Sequence, residues 1–432
     1  MTPSARLAAA IEVFAAIERD RRPAADALKS WGLAHRFAGS GDRAAIAGLV
    51  YDALRRCASS AWLMGGDSPR ATLLGMLKRE RELDTGAIGK LADGSRFAPE
   101  ALTEEERHEL DNSSLKGAPP YVVGDYPDWL EPHFTRAFGD ARAEEGAALA
   151  ARAPLDLRVN ALKAEREKAA EMLAELKPEP TRWSPWGLRI RLAAEAKSPA
   201  IHAEPPFLKG MIEVQDEGSQ LAALLAGAKP GEQVVDLCAG AGGKTLALAA
   251  MMQNKGQIYS TDDDKRRLAP IHARLKRSGA RNVQVRTPKS IGGELDDLHG
   301  RIDLVLIDAP CTGTGAWRRN PDAKWRMRPG ALQQRQNDQA AVLDRAVPLV
   351  KAGGRIAYVT CSVLEEENAD QVRGFLARQA GFSIVPPAQV TQALGEHAFM
   401  FAKAARLTDE GITMTPRATG TDGFFVALLR RA

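Results

Sequence analysis

Two buried strands that each end at a cysteine constrain this chain more than any other feature. Runs of apolar and β-branched residues stop abruptly at polar clusters in Ile302 to Gly315 and again in Arg355 to Ser362. The first cluster contains Asp308 and Cys311, and the second contains Cys361. Strands buried on both faces of a parallel sheet have this pattern, and ligands bind just beyond their carboxyl ends. We therefore expect two cysteines at one edge of a parallel sheet.

A third strand, predicted at residues 233–237, is followed by a glycine-rich turn. The turn has the sequence Cys238-Ala239-Gly240-Ala241-Gly242-Gly243-Lys244-Thr245. Glycines let the backbone approach a ligand closely, and the start of the next helix offers free N–H groups. A nucleotide phosphate loop would need a glycine at position 238, and the spacing also differs from the dinucleotide fingerprint. Asp262 ends the next strand and suits the two hydroxyls of a ribose, so the pattern favours S-adenosylmethionine as the cofactor.

From Met211 onward, strands and helices alternate regularly. Strands are predicted at 233–237, 257–261, 282–286, 302–307, 355–360, 383–386 and 424–429, and helices at 215–226, 244–252, 265–278, 331–350 and 365–378. This alternation predicts a doubly wound α/β domain, with the last hairpin adding an antiparallel edge. Upstream, a strand at 155–162, a helix and a hairpin near 183–192 predict a small α+β unit, and residues 1 to about 78 have helical periodicity.

Composition excludes several classes of protein. No apolar run approaches the roughly 18 residues of a membrane span. Met1 to Arg22 alternates Ala, Leu and Ile with the acids Glu12, Glu18 and Asp20 and predicts an amphipathic helix rather than a targeting segment, so we expect a cytoplasmic protein with no membrane partner. The four cysteines, at positions 57, 238, 311 and 361, form no CxxC pair and the histidines show no metal spacing, so neither a metal site nor a disulfide framework is expected. Cys57 fits a core position.

Basic residues are concentrated in two stretches of a chain with a net charge of only +4. For Lys265 to Arg277 a solvated helix face is the favoured interpretation. The stretch from Arg318 to Arg335 contains one acid, Asp322, and follows the Cys311 turn directly. It includes Arg318, Arg319, Lys324 and Trp325, which suit phosphate contact combined with base stacking. This second stretch predicts contact with RNA.

The two strand-end cysteines suit methylation of a pyrimidine at C5. That carbon is not nucleophilic by itself, but addition of a thiolate at C6 makes C5 enamine-like and able to attack a methyl sulfonium. Such a thiolate needs a lowered pKa, which a helix N-terminus or a basic neighbour can provide. Spacing alone does not decide between Cys311 and Cys361 as the nucleophile, whereas Cys238 is expected to pack under the cofactor turn.

The chain from about Asp128 to its C-terminus resembles the RsmB/Sun family of RNA cytosine-C5 methyltransferases. The stretches that carry the resemblance are Leu157 to Asn160, Val214 to Gln220, Asp236 to Thr245, Asp308 to Gly315, Arg318 to Trp325, Tyr358 to Ser362 and Asp422 to Phe425. The resemblance implies an α/β fold in which a Rossmann-like class I methyltransferase domain with a seven-stranded mixed sheet covers residues 211–432. It also implies an RNA-recognition-motif-like α+β unit at 125–210. Residues 1–118 more faintly resemble a NusB-like helical RNA-binding domain with a linker.

By position, the resemblance implies that Cys361 is the nucleophile and that Cys311 assists release of the methylated base. Asp308 would hydrogen-bond the cytosine ring near the methyl donor, and Lys244 would orient the site. The cofactor would be held by Cys238, Ala239, Gly240, Ala241, Gly242, Gly243, Lys244, Asp262 and Asp308. Arg158 and Asn160 would join Arg318, Arg319, Lys324 and Trp325 as RNA contacts.

The expected function is therefore S-adenosylmethionine-dependent methylation of C5 of a cytosine in RNA, with small-subunit ribosomal RNA as the substrate and a monomeric enzyme. One alternative is a non-catalytic RNA-binding factor in ribosome assembly that retains the methyltransferase fold. The intact cysteines, Asp308 and cofactor turn argue against it. A methyltransferase acting on DNA or on uracil is the other alternative, and the RNA-binding modules disfavour DNA.

Overall fold

The computed structural model describes residues 1–192, 199–288 and 293–432. Its helices are α1 (Pro3–Asp20), α2 (Ala24–Ala34), α3 (Ser40–Arg55), α4 (Cys57–Leu63), α5 (Pro69–Arg79), α6 (Thr85–Leu91), α7 (Glu104–Asn112), α8 (Pro120–Val123), α9 (Glu131–Phe138), α10 (Arg142–Ala150), α11 (Arg166–Met172), α12 (Pro205–Leu208), α13 (Glu217–Ala226), α14 (Gly243–Met251), α15 (Lys265–Leu268), α16 (Ile271–Ser278), α17 (Pro321–Arg326), α18 (Pro329–Ala346), α19 (Ala369–Arg378), α20 (Pro387–Val390) and α21 (Ala398–Ala404). Its strands are β1 (Leu155–Val159), β2 (Glu179–Pro180), β3 (Gly187–Ile190), β4 (Ile212–Val214), β5 (Gln233–Asp236), β6 (Gln257–Ser260), β7 (Val283–Val285), β8 (Ile302–Asp308), β9 (Val350–Thr360), β10 (Phe382–Ile384), β11 (Arg406–Leu407), β12 (Ile412–Met414) and β13 (Phe424–Arg431).

The described residues form two units. The helical unit contains residues 1–153 and 317–328, and the sheet unit contains residues 154–192, 199–288, 293–316 and 329–432. Two segments that are far apart in sequence therefore build the helical unit, because α17 belongs to it together with α1 to α10. The domain boundaries that the sequence suggests stay a prediction.

The helical unit is built from short amphipathic helices with clear start signals. In α1, Pro3 occupies the first turn and the Thr2 side chain accepts a hydrogen bond from the Ala5 backbone N–H. Both features satisfy the requirements of a helix start. Apolar residues at helical spacing then fill the interior of the unit, including Leu7 and Phe14, which are at most 1% exposed. The helical periodicity predicted for the N-terminal residues is confirmed.

A small antiparallel sheet in the sheet unit has the strand order β2-β3-β1-β4. β1 lies at its centre and pairs with β3 through Leu157 and Leu188 and with β4 through Leu157 and Val214. α11 packs with the apolar face of this sheet, where Ala169 and Leu173 are buried. The predicted α+β unit is therefore present, although residues 193–198 of its predicted range lie outside the described residues.

A larger mixed sheet has the order β11-β12-β13-β9-β8-β5-β6-β7, with β10 also paired to β13. Strands β5 to β9 are parallel, and β10 to β13 are antiparallel. Leu304 to Ile307 in β8 are completely buried, as expected for a central strand covered on both faces. All seven predicted strands are confirmed, and β11 and β12 are two additional short strands at the antiparallel edge.

Two predicted helices are interrupted. The helix predicted at 265–278 is divided into α15 and α16 around Pro270, because proline has no N–H to donate and its ring clashes with the preceding turn. The helix predicted at 365–378 begins with a 3-10 turn, Glu365–Glu367, before α19. Across the described residues, none of the helices combines the length and apolar character needed to cross a bilayer.

Candidate active site

The glycine-rich turn after β5 is held in a conformation that requires glycine. Gly240 has a φ of 49° and Gly242 has a φ of 83°, both in the left-handed region. A Cβ on Gly242 would lie 2.5 Å from Cγ1 of Ile271, so the turn also packs closely against α16. Below the turn, the Thr245 hydroxyl donates to the Asp236 carboxylate at 2.6 Å. The turn is therefore fixed from both sides and leads into α14, whose first N–H groups have no acceptor within the helix.

Asp262 lies beside this turn and is only 3% exposed. Its carboxylate accepts hydrogen bonds from the backbone N–H groups of Gly240 and Asp264, each at 2.9 Å. A carboxylate fixed in this way retains lone pairs that can accept from the hydroxyls of a ribose. Arg274 supports the turn from α16 by donating to the Ala241 carbonyl at 2.9 Å. The donor set and the close-approach glycines fit S-adenosylmethionine.

The two predicted cysteines meet at the carboxyl edge of the large sheet. The Sγ atoms of Cys311 and Cys361 are 3.3 Å apart, which allows a direct hydrogen bond between them. The backbone fixes this arrangement, since the Gly315 N–H donates to the Cys361 carbonyl at 2.9 Å. Gly423 in turn donates to the Gly315 carbonyl at 2.8 Å. The sequence prediction that Cys311 and Cys361 lie together is confirmed.

The two sulfur atoms differ in their surroundings. The hydrogen bond to Cys361 raises the pKa of Cys311 well above the ordinary thiol value, and burial and the nearby Glu367 carboxylate raise this pKa further. Cys311 therefore holds its proton and is suited to donate a hydrogen bond to the Cys361 sulfur. Burial likewise raises the pKa of Cys238, which lies under the cofactor turn and is unsuited to act as a thiolate nucleophile.

An ion pair links the cofactor turn to the end of β8. The Lys244 ammonium lies 2.7 Å from the Asp308 carboxylate, and it also lies 5.3 Å from the centre of the Phe424 ring. The Lys244 side chain is 7% exposed, whereas that of Asp308 is 36% exposed. Lys244 therefore orients the Asp308 carboxylate and leaves part of it open to solvent. Sequence analysis predicted both residues for the site but not that they form an ion pair.

Three further residues of the site were missed by the sequence analysis. Glu367 lies in the turn after Cys361 and accepts from Thr312 in the Cys311 turn, and Gln339 on α18 donates to Glu367. The acidic cluster after the Cys361 strand was the only signal for them in the sequence. Thr312 and Gln339 are 55 and 28 residues away from Glu367 in the sequence. Local sequence pattern could therefore not indicate that they contact it.

Four of the six side chains predicted to contact RNA are buried, and the RNA contacts assigned to them stay a prediction. Arg158 and Asn160 are 1% and 3% exposed, and Arg318 and Lys324 are 6% and 0% exposed. The Asn160 amide donates to two backbone carbonyls of the sheet unit. The remaining two, Arg319 and Trp325, are partly exposed and stay candidates for RNA contact.

Lys324 has an interior role in the helical unit. Its ammonium donates to the carbonyls of Arg55 and Asp125 at 2.9 and 2.6 Å. Burial lowers the pKa of Lys324 to about 7. Next to it, the Trp325 indole donates to the Leu54 carbonyl at 2.7 Å. These contacts join α17 to the rest of the helical unit, so both side chains contribute to the stability of its fold.

Known proteins resemble this chain over most of its length. A family model described as 16S rRNA methyltransferase RsmB/F matches residues 222–430, and a model of the ferredoxin-like domain of RsmF/B-like methyltransferases matches residues 126–196. A probable ribosomal RNA small subunit methyltransferase B from Synechocystis is 31% identical over 80% of this chain and 75% of its own length. The ribosomal RNA small subunit methyltransferase B of Erwinia tasmaniensis is 32% identical over 76% of this chain and 70% of its own length.

A solved structure shows the same fold. The crystal structure of a methyltransferase homologue from Pyrococcus horikoshii superimposes with a TM-score of 0.58 at 27% identity. The match covers 74% of this chain and 100% of that chain.

Proposed function

Because the chain belongs to the RsmB/F family of 16S rRNA methyltransferases, we propose that it methylates C5 of a cytosine in small-subunit ribosomal RNA through a covalent bond between Cys361 and C6. It uses S-adenosylmethionine as its cofactor. When bound, S-adenosylmethionine supplies an electrophilic methyl group. The observation that carries the proposal is the 3.3 Å approach of the Cys311 and Cys361 sulfur atoms at adjacent strand ends. One of these sulfurs is suited to attack and the other to hold a proton.

In the proposed reaction, the Cys361 thiolate forms a bond to C6 of the cytosine. The electrons of the C5–C6 double bond then make C5 nucleophilic, and C5 would form its bond to the methyl group as the bond between that group and the sulfonium sulfur breaks. The Asp308 carboxylate accepts a hydrogen bond from the amino group of the cytosine and so orients the ring for attack, while Lys244 keeps this carboxylate in place at 2.7 Å. Cytosine must be unstacked for this attack, since neither ring face is accessible within a duplex.

Release of the methylated base reverses the first step. The C5 proton leaves to a water molecule, the bond between Cys361 and C6 breaks, and its electron pair returns to sulfur while the C5–C6 double bond forms again. Cys311 donates a hydrogen bond to the departing sulfur, which stabilises the thiolate. The raised pKa of Cys311 supports this role, because a thiol that keeps its proton can donate where a thiolate cannot.

The test compares the wild-type protein with Cys361→Ala. Each is incubated with small-subunit ribosomal RNA lacking base methylation and with S-adenosylmethionine carrying a labelled methyl group, and the RNA is then digested to nucleosides. We expect label in 5-methylcytidine with the wild type only. Label in another nucleoside would reject C5 of cytosine, and full activity of Cys361→Ala would reject the nucleophile.

The same experiment decides between an enzyme and a non-catalytic assembly factor. Cofactor binding is measured by calorimetry on the same samples. A protein that binds S-adenosylmethionine but labels neither free ribosomal RNA nor isolated small subunits would favour the assembly-factor alternative. A matched DNA substrate serves as the control for nucleic-acid class, and we expect no label in it.

A further inference from the structure

Glu367 is a fully buried carboxylate that joins the turns of the two cysteines. It lies six residues after Cys361, in the 3-10 turn that precedes α19. Its carboxylate accepts from the Thr312 backbone N–H at 2.8 Å and from the Thr312 hydroxyl at 2.5 Å. Thr312 directly follows Cys311 in the chain. The contacts of Glu367 therefore act on the segment that carries the second cysteine.

A second contact fixes the other side of Cys311. The Gln339 amide donates both to Glu367 at 3.0 Å and to the Pro310 carbonyl at 2.9 Å. The residues before and after Cys311 are thus both tied to one carboxylate, directly or through Gln339. The backbone of Glu367 is fixed as well, because the Tyr358 hydroxyl donates to its carbonyl at 2.6 Å. Tyr358 lies on β9, the strand that leads to Cys361.

We propose that Glu367 is a positioning residue for the release step, holding the Cys311 turn so that the Cys311 sulfur stays within hydrogen-bond reach of the Cys361 sulfur. The inference rests on the proposed function, since it assigns Glu367 to the second half of the same reaction. A buried carboxylate is costly unless donors satisfy it, and three donors do so here. Two of these donors belong to Thr312, so the hydrogen bonds that stabilise the buried carboxylate also hold the Cys311 turn in place.

Glu367 should affect release of the methylated base but not the attack of Cys361 or the methyl transfer. Loss of the Glu367 anchor displaces Cys311 but leaves the Cys361 sulfur and the cofactor turn in place. Attack and methyl transfer should therefore continue while release slows. The expected product is a covalent RNA–protein complex that already carries the transferred methyl group. General destabilisation would lower both halves together and would not produce this complex.

The test uses Glu367→Ala and Glu367→Gln, with Glu365→Gln as a matched control. Glu365 lies in the same turn but pairs with Arg406 at 3.0 Å instead of with the Cys311 turn. Each protein is incubated with ribosomal RNA and labelled S-adenosylmethionine, and covalent complexes are quantified on denaturing gels. We expect the methylated complex to accumulate at least about 10-fold over wild type in Glu367→Ala, since a displacement of about 1 Å is enough for such an effect.

Glu367→Gln tests whether the hydrogen bonds of Glu367 or its negative charge keep the Cys311 turn in place. Its amide oxygen can accept from the Thr312 N–H and from Gln339, and its amide nitrogen can donate to the Thr312 hydroxyl. We expect it to release the RNA within about 3-fold of the wild-type rate, because the anchor is retained. A Glu367→Gln protein that accumulates complex as strongly as Glu367→Ala would overturn anchoring, and so would a Glu367→Ala protein that releases like wild type.

Two additional variants keep the outcomes interpretable. Cys311→Ala and Cys361→Ala are run on the same gel. If Cys311→Ala forms no complex, the proposed function fails; if it forms the complex while Glu367→Ala does not, only the present inference fails. If Glu367→Ala does not bind S-adenosylmethionine, Thr312→Val is tested instead, because it removes the hydroxyl contact from the other side. If Glu367 anchors the Cys311 turn, Thr312→Val must accumulate more covalent complex than wild type.

Discussion

Replacing Gly315 by alanine should push the Cys311 turn away from the backbone of Gly423 and strain the hydrogen bond that joins this turn to Cys361. A Cβ on Gly315 would lie 2.1 Å from the carbonyl oxygen of Gly423 and 2.5 Å from its carbonyl carbon. Ordinary contact between carbon and oxygen atoms is about 3.5 Å, so the two backbones must move apart by about 1 Å. Neither neighbour is a flexible side chain that could rotate away. The hydrogen bonds from Gly315 to Cys361 and from Gly423 to Gly315 would be strained together.

Gly315→Ala should lower both the stability of the protein and its methyl-transfer activity. Overpacking of this kind costs about 1–3 kcal/mol of unfolding free energy. The melting temperature of the sheet unit should fall by roughly 2–4 °C for each kcal/mol lost. Because Gly315 also donates to the Cys361 carbonyl, the substitution should displace the nucleophile itself, and a displacement of about 1 Å should reduce methyl transfer by about 100-fold. Affinity for S-adenosylmethionine should stay near that of wild type, because Gly315 is not part of the 238–244 turn.

Thermal unfolding, calorimetric titration with S-adenosylmethionine and single-turnover methyl transfer would be measured on the same preparation. Gly330→Ala is the matched control, because a Cβ at Gly330 meets no atom within 4 Å and should leave all three quantities unchanged. Wild-type activity in Gly315→Ala would refute the argument that this close approach fixes the cysteine pair. So would a loss of activity that is fully explained by loss of cofactor binding.

Two further predictions concern the cofactor turn. Gly242→Ala should weaken S-adenosylmethionine binding at least about 10-fold in calorimetry, because the new Cβ meets Ile271 at 2.5 Å and the backbone has a φ of 83°. Burial raises the pKa of Asp236 to about 7. Its folded-state pKa is above the unfolded value, so its contribution to stability is present at acid pH and is lost as the pH rises through about 7. In denaturant titrations at pH 5 and pH 8, Asp236→Asn should reduce this loss by up to about 3 kcal/mol, which corresponds to the roughly two pH units between pH 5 and the folded-state pKa, and an unchanged pH dependence would reject the shift.

The parts of the site that follow from strand periodicity were predictable. Cys311, Cys361 and Asp262 all come directly after buried strands, and parallel strands bring their carboxyl ends to one edge. The glycine turn was predictable for the same reason, since Gly240 and Gly242 stand where a strand meets a helix. The short strands β11 and β12 were not, because two or three residues carry no measurable periodicity.

The sequence does not predict burial that depends on distant backbone. Lys324 was expected to contact RNA because a basic residue beside a tryptophan is typical of a phosphate-binding surface. Its partners are the carbonyls of Arg55 and Asp125, 269 and 199 residues away, and nothing near Lys324 in the sequence indicates them. Arg158 illustrates the same limit, since its Nε donates to Gln215 at a neighbouring strand end while its two terminal nitrogens are buried without a hydrogen-bond partner among the described residues. Charged residues are rarely buried without partners, and sequence patterns do not reveal such long-range partners.

The central claim is that Cys361 attacks the base and Cys311 assists its release. The most direct test is to trap the covalent complex of Cys311→Ala with ribosomal RNA, digest both polymers and identify the modified peptide by mass spectrometry. We predict a methylated cytidine attached to the peptide that contains Cys361, and no complex with Cys361→Ala. A cytidine attached to Cys311 in a complex trapped with Cys361→Ala would contradict this assignment and reverse the roles of the two cysteines.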